Sequence, residues 1–170
     1  YQGVIERSSR SPESLEARNR LGALAMDKDD RADARALFEA VLVEQPDNVG
    51  ALVGRGNINY RDERYAEAVS DFRAALRKQP DNAIALLYLA RSHDKLRDDS
   101  LAQDAYRRLL EVNPDNPDAL AELGLLVRST DPDQALQYFE RALAKDPGNA
   151  TARTGLVGVL LARGDLDQAE

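Results

Sequence analysis

The chain has 170 residues, 43% of them hydrophobic and 31% charged, and 30 acidic against 23 basic side chains give a net charge of −7. No apolar run reaches the roughly 20 residues a membrane-spanning helix needs, and apolar side chains are too plentiful and too evenly spread for a wholly disordered chain. The acidic balance argues against a general nucleic-acid binder, and with no cysteine there is no disulfide, thiol nucleophile or thiolate metal site.

Five of the seven prolines set the organisation. Pro12, Pro46, Pro80, Pro114 and Pro147 lie 34, 34, 34 and 33 residues apart, within SPES, QPDN, QPDN, NPDN and DPGN. A fixed period of this size marks a repeat array. In chain order, residues 1–14 read as the end of a second helix from a preceding unit. Unit one, residues 15–48, gives an amphipathic helix, the polar turn Asp27-Lys28-Asp29-Asp30 and a second helix with Ala34 and Phe38. In unit two, residues 49–82, Leu52, Gly56, Asn59 and Tyr60 mark one face of the first helix, and Val69, Phe72, Ala75 and Leu76 mark the next. Unit three, residues 83–116, turns at Arg97-Asp98-Asp99. Unit four, residues 117–149, is one residue short in the turn around 130–133. Residues 150–170 give a first helix over 151–163 and the opening of another. Apolar spacings of three and four predict helices packed by one face, with Asn or Asp capping each helix after a proline.

Further positions keep the same phase. Ala34, Ala68, Ala102 and Ala135 stand twelve residues before a proline, and Phe38, Phe72, Tyr106 and Phe139 stand eight before. Leu21-Gly22, Arg55-Gly56, Leu89-Ala90 and Leu123-Gly124 recur earlier in each unit. Over essentially the whole chain this pattern resembles the tetratricopeptide repeat (TPR) family. Two departures stand out: the family's Trp is replaced by Arg18, Leu52, Leu86 and Leu120, and Arg55 stands where Leu is expected. The resemblance implies an all-α, right-handed TPR superhelix, an α-solenoid of antiparallel helix pairs. The chain reads as a single solenoid domain with four full repeats and partial repeats at both ends. Leu156, Val159, Leu160 and Leu166 do not form the polar face of a capping repeat, so a fragment of a longer array is expected. No signal peptide is legible, which leaves periplasm and cytoplasm both open.

No set of convergent polar groups suggests catalysis, and the expectation is a protein that is not an enzyme and carries no cofactor or metal. His93, the only histidine, falls at an inward-packing position. Asp29-Asp30 and Asp98-Asp99 lie in turns that favour Asp, and Gly54-Arg55-Gly56 is helical rather than a phosphate loop. Arg73, Arg77, Lys78, Arg107 and Arg108 fall on second helices, the outer surface of the family's solenoids, and read as a solvated face. No nucleic-acid partner is expected.

In the family, first helices line a concave groove that holds a peptide or partner helix. The resemblance therefore makes Val53, Asn57, Tyr60, Leu87, Tyr88, Arg91, Leu125 and Arg128 the candidate binding residues. Apolar and aromatic groups mixed with a few donors suit recognition. Asn57 is suited to hold a peptide backbone and Arg91 a carboxylate. The other reading is that these groups pack between neighbouring helices; Gly50, Gly54, Gly155 and Gly158 leave room for either. The Lys- and Asn-based clamp by which some members hold a chaperone's carboxyl terminus does not fit, because Val53, Asn57, Tyr88, Asp118 and Glu122 occupy its positions. The implied function is a scaffold or adaptor for a protein or peptide. The Arg- and Ala-rich composition reads as bacterial, and bacterial arrays of this family serve secretion and polysaccharide export. End-to-end self-association and glycan stacking on Tyr60 and Tyr88 are the other readings.

Overall fold

Helices begin in this chain where a side chain replaces the missing backbone acceptor of the first turn. Asn48, Asn82, Asn116 and Asn149 accept from the N–H groups of Ala51, Ala85, Ala119 and Ala152 at 3.0, 2.9, 2.9 and 2.9 Å. These caps open the first helices α3 (Val49–Arg61), α5 (Ala83–Lys95), α7 (Pro117–Val127) and α9 (Ala150–Arg163). The second helices are α2 (Arg31–Glu44), α4 (Tyr65–Lys78), α6 (Asp99–Val112) and α8 (Pro132–Lys145). Each ends two residues before a proline, which cannot donate to the helix behind it. The computed structural model describes residues 12–164, and these contain nine helices and no strand.

The first helix, α1 (Pro12–Asp27), departs from the expected boundary. Residues 12–14, which the spacing assigned to the tail of a preceding unit, belong to α1. Proline suits the first turn of a helix because its φ is preset and its missing N–H has no acceptor to lose. Position 14, in phase with the capping asparagines, carries a buried Ser instead. The preceding second helix expected before it, and the further one expected after residue 164, lie outside the described residues.

The chain divides into two compact units, Tyr1–Leu96 with α1 to α5 and Arg97–Glu170 with α6 to α9. Within the first, sequential helices pack on one another, and α3 also touches α1 and α5. Within the second, α6 packs on α7, α7 on α8 and α8 on α9, and α7 also touches α9. An aromatic ring fills the pairs α1–α2, α3–α4 and α7–α8: Phe38, Phe72 and Phe139 are 3%, 0% and 0% exposed, and Tyr106, in phase with them on α6, is 1% exposed. The three phenylalanine rings need glycine opposite them. A Cβ on Gly22 or Gly56 would lie 2.7 Å from the Phe38 or Phe72 ring, and one on Gly124 would lie 2.6 Å from Phe139.

Two departures from the repeat pattern are absorbed by ion pairs. Arg18, in the Trp position, is buried and reaches Glu44 at 2.5 Å. Arg55 grips Asp71 with two hydrogen bonds, Nη2 to Oδ1 at 2.5 Å and Nε to Oδ2 at 3.0 Å. Asn59 also donates to Asp71, at 2.9 Å, and Arg35 of α2 donates to Asn59 at 3.0 Å and to Asp62 at 3.2 Å. The junction between repeats one and two is thus held by a polar network whose centre, Asn59 and Asp71, is buried.

Three turns within helix pairs place Asp29, Glu63 and Arg97 in the left-handed region, at φ 58°, 60° and 63°, and Gly164 takes φ 78° in the turn after α9. An L-residue there carries a cost of about 1–2 kcal/mol that glycine escapes, partly offset by glycine's larger unfolded-state entropy. Glu63→Gly is therefore expected to raise stability by about 0.5–1 kcal/mol. An unchanged or lower urea midpoint would mean that Glu63 makes a compensating contribution.

Candidate functional site

The first unit carries a groove of about 880 Å³ along its first helices. Its walls come from Asn19, Ala23 and Met26 of α1, Val53 and Asn57 of α3, and Ile84 and Tyr88 of α5. These positions fall on one helix face because the period of 3.6 returns every third or fourth side chain to the same side. Ile84 is 55% exposed, so the groove presents apolar surface to solvent. Asn19 donates to the capping oxygen of Asn48 at 2.9 Å and so ties α1 to the start of α3. The Asn57 side chain makes no hydrogen bond among the described residues.

The rim is charged. Lys78 pairs with Asp47 at 2.5 Å, and its hydrogen bond and charge hold the Asp47 carboxyl below the usual carboxylate range. Glu16 and Arg20 pair at 2.8 Å across one turn of α1. Lys78 therefore corrects the sequence reading, because it borders the groove instead of belonging only to a solvated outer face. It sits in the last turn of α4, where the chain comes round to the groove side. The same geometry recurs as Lys145 to Asp115 at 2.6 Å, and aligning the units would have revealed both pairs. Phe38, Val49 and Arg61 also line the groove and were not among the candidates.

Of the candidates, Val53, Asn57 and Tyr88 line this groove. Tyr60 lies against Tyr88 with ring centres 5.3 Å apart at 73°, and Arg91 sits 5.7 Å over the Tyr88 ring. Tyr88 also stacks on Phe72 at 6.0 Å. Leu87 is half-buried on α5 and does not line the groove. Leu125 and Arg128 belong to the second unit. Leu125 is half-buried there, and Arg128 borders a separate depression of about 500 Å³ with Gly158 and Val159. His93 is 4% exposed and lies 3.3 Å from Arg73 through Nε2.

Two of the four glycines are settled by packing. A Cβ on Gly54 would fall 2.3 Å from the Phe38 ring, and one on Gly155 would fall 2.3 Å from Phe139. Each ring thus wedges between the first helix of its own pair and that of the next. Gly54→Ala is expected to cost about 1–3 kcal/mol through overpacking. A stability unchanged within error would mean that Phe38 can withdraw freely.

Tetratricopeptide repeat models match residues 19–83, 60–124 and 126–170. The chain belongs to the tetratricopeptide repeat family. The fold is shared with solved structures of low sequence identity. YrrB, described as a TPR protein with an unusual peptide-binding site, is 23% identical, with a TM-score of 0.82 over 99% of this chain and 86% of its own. MamA is 22% identical, with a TM-score of 0.81 over 94% and 87%. The pilF protein of Pseudomonas aeruginosa is 18% identical, with a TM-score of 0.86 over 97% and 74%. No curated protein sequence matches the chain. Among the described residues no helix is long and apolar enough to cross a membrane.

Proposed function

We propose that the chain is a non-catalytic interaction scaffold and that the groove of its first unit holds a segment of a partner protein. The observation that carries this reading is the groove itself. About 880 Å³ lies within the size range of ligand sites, and its apolar wall of Val53, Ile84 and Tyr88 surrounds the Asn57 amide. Stacked helices form the surface before the guest arrives, so little scaffold entropy is lost on binding. The likeness to YrrB, a peptide-binding TPR protein, lends support at the level of fold. Glycan stacking is less favoured, because Phe72, Tyr60 and Arg91 already engage the Tyr88 ring. The finer proposal, a bacterial secretion or exopolysaccharide-export assembly, rests on the family resemblance alone.

The test is photocrosslinking from benzoylphenylalanine placed at Val53, at Ile84 or at Arg77, which is exposed on α4. The same partner is expected from Val53 and Ile84 and not from Arg77. Crosslinks from Arg77 alone would move the binding surface to second helices and overturn the groove.

A further inference from the structure

We propose that the depression in the second unit takes an extended partner segment that carries an acidic and an aliphatic residue two positions apart. The site lies in a different unit from the groove above and is independent of that reading. The recess holds about 500 Å³, between Arg128 and Ser129 at the end of α7, Pro132 at the start of α8 and the last turns of α9. One residue leaves it open. The position that carries Asn57, Arg91 and Leu125 in repeats two to four carries Gly158 in α9. A Cβ on Gly158 would lie 3.5 Å from Arg128 Nη1, so the guanidinium stands beside space that a longer side chain would fill.

Charge selects the polar group of the guest. Arg128 and Arg163 line the recess and no carboxylate does, in a chain whose net charge is −7. The carboxylates close by in sequence are engaged elsewhere. Asp131 caps α8 by accepting from the Gln134 N–H at 2.9 Å, and Asp133 pairs with Arg163. Among the described residues Arg128 makes no hydrogen bond or ion pair. A guanidinium only donates, and a carboxylate matches its fork. A basic guest is repelled. The surface from Pro132, Val159 and Ala162 is apolar and favours an aliphatic group. Gly158, beside Arg128, and Ala162 stand one helical turn apart, about 6 Å. An extended segment returns residues i and i+2 to one face about 6.6 Å apart, so Glu at one and Leu at the other meet both demands.

The probe is the acetylated, amidated peptide Gly-Glu-Ala-Leu-Gly, titrated into the whole isotope-labelled chain and followed by amide chemical shifts. Saturable shifts are expected at Gly158, Val159 and Ala162. Three changes should each weaken binding at least about threefold, the scale of one exposed ion pair or one small apolar contact. They are Gln for the peptide's Glu, the order Glu-Leu-Ala, which sends the two side chains to opposite faces, and Arg128→Gln in the chain. Arg128 is exposed, so that variant should keep its melting temperature. Gly158→Leu, which copies Leu125, should fill the recess and abolish the shifts. Equal affinity in any of the three comparisons overturns the proposal, as does the absence of saturable shifts at millimolar peptide. Shifts at Val53 and Ile84 instead would put the peptide in the first unit's groove and overturn this site.

Discussion

Replacing Phe72 with alanine is expected to lower the stability of the first unit by about 3–5 kcal/mol. The ring is fully buried, wedged against the bare backbone of Gly56 and stacked on Tyr88. Alanine removes the ring's transfer energy and leaves a cavity that helix backbones cannot close, because α3, α4 and α5 are fixed by their other contacts. The loss should also be local. In a repeat array each unit leans mainly on its neighbours. Amide exchange in α3 to α5 should therefore accelerate before that of α8 and α9. A loss below 1 kcal/mol would show that the ring is not the wedge described, and Phe72→Leu should recover a large part of the difference.

Asp71→Ala should be nearly as damaging, at about 2–4 kcal/mol. Asp71 is 5% exposed and receives both Arg55 and Asn59. Hydrogen bonding to Asp71 raises the Arg55 guanidinium pKa despite partial burial. Truncation strands a half-buried cation and a buried amide. Removing the whole network should cost far less. Arg55→Leu with Asn59→Ala and Asp71→Leu copies Leu21, Ala25 and Leu37 of repeat one, and should stay within about 1 kcal/mol of the parent. A triple variant as unstable as Asp71→Ala would mean that apolar packing cannot replace these ions. Acid should weaken the same junction. Burial pushes the Asp62 carboxyl up, but hydrogen bonds from Arg35, Arg64 and Arg31 outweigh it and hold the pKa low. A depressed folded-state pKa contributes stability above the unfolded value of about 4, which is lost as pH falls through the folded value. Urea midpoints should therefore hold near neutrality and decline below about pH 4.

The helix pairs were legible because their signature is local. Ala34, Phe38, Gly22 and their periodic counterparts answer to the spacing within one pair, and a one-dimensional period records that spacing directly. The start of α1 was not legible, since Pro12 keeps the phase of the turn prolines while its neighbours lack the capping Asn. In the site, Val53, Asn57 and Tyr88 share a helix face that the period predicts, and they do line one groove. Lys78 was misplaced because its position depends on where α4 ends relative to the turn at Asp47, 31 residues away. The stacking of Tyr88 on Phe72 was hidden for a related reason. Position 88 is in phase with Gly54, and only the packed rings reveal that one junction fills with tyrosine what another leaves to glycine.

The polar network between repeats one and two has a consequence for how such a chain can change length. Elsewhere each Asn cap and aromatic wedge is completed within one period and its neighbour. Duplication or loss of a whole 34-residue block keeps the Asn caps but re-pairs the wedges, because Phe38 meets Gly54 of the next repeat where Phe72 meets Tyr88. Excision of residues 49–82 changes more. It would bring His93 to the place of Asn59 and Leu89 to that of Arg55, leaving Arg35 to face an imidazole and a leucine. The order of the first two repeats is thus keyed twice, by this network and by the residue that each wedge meets in the next repeat.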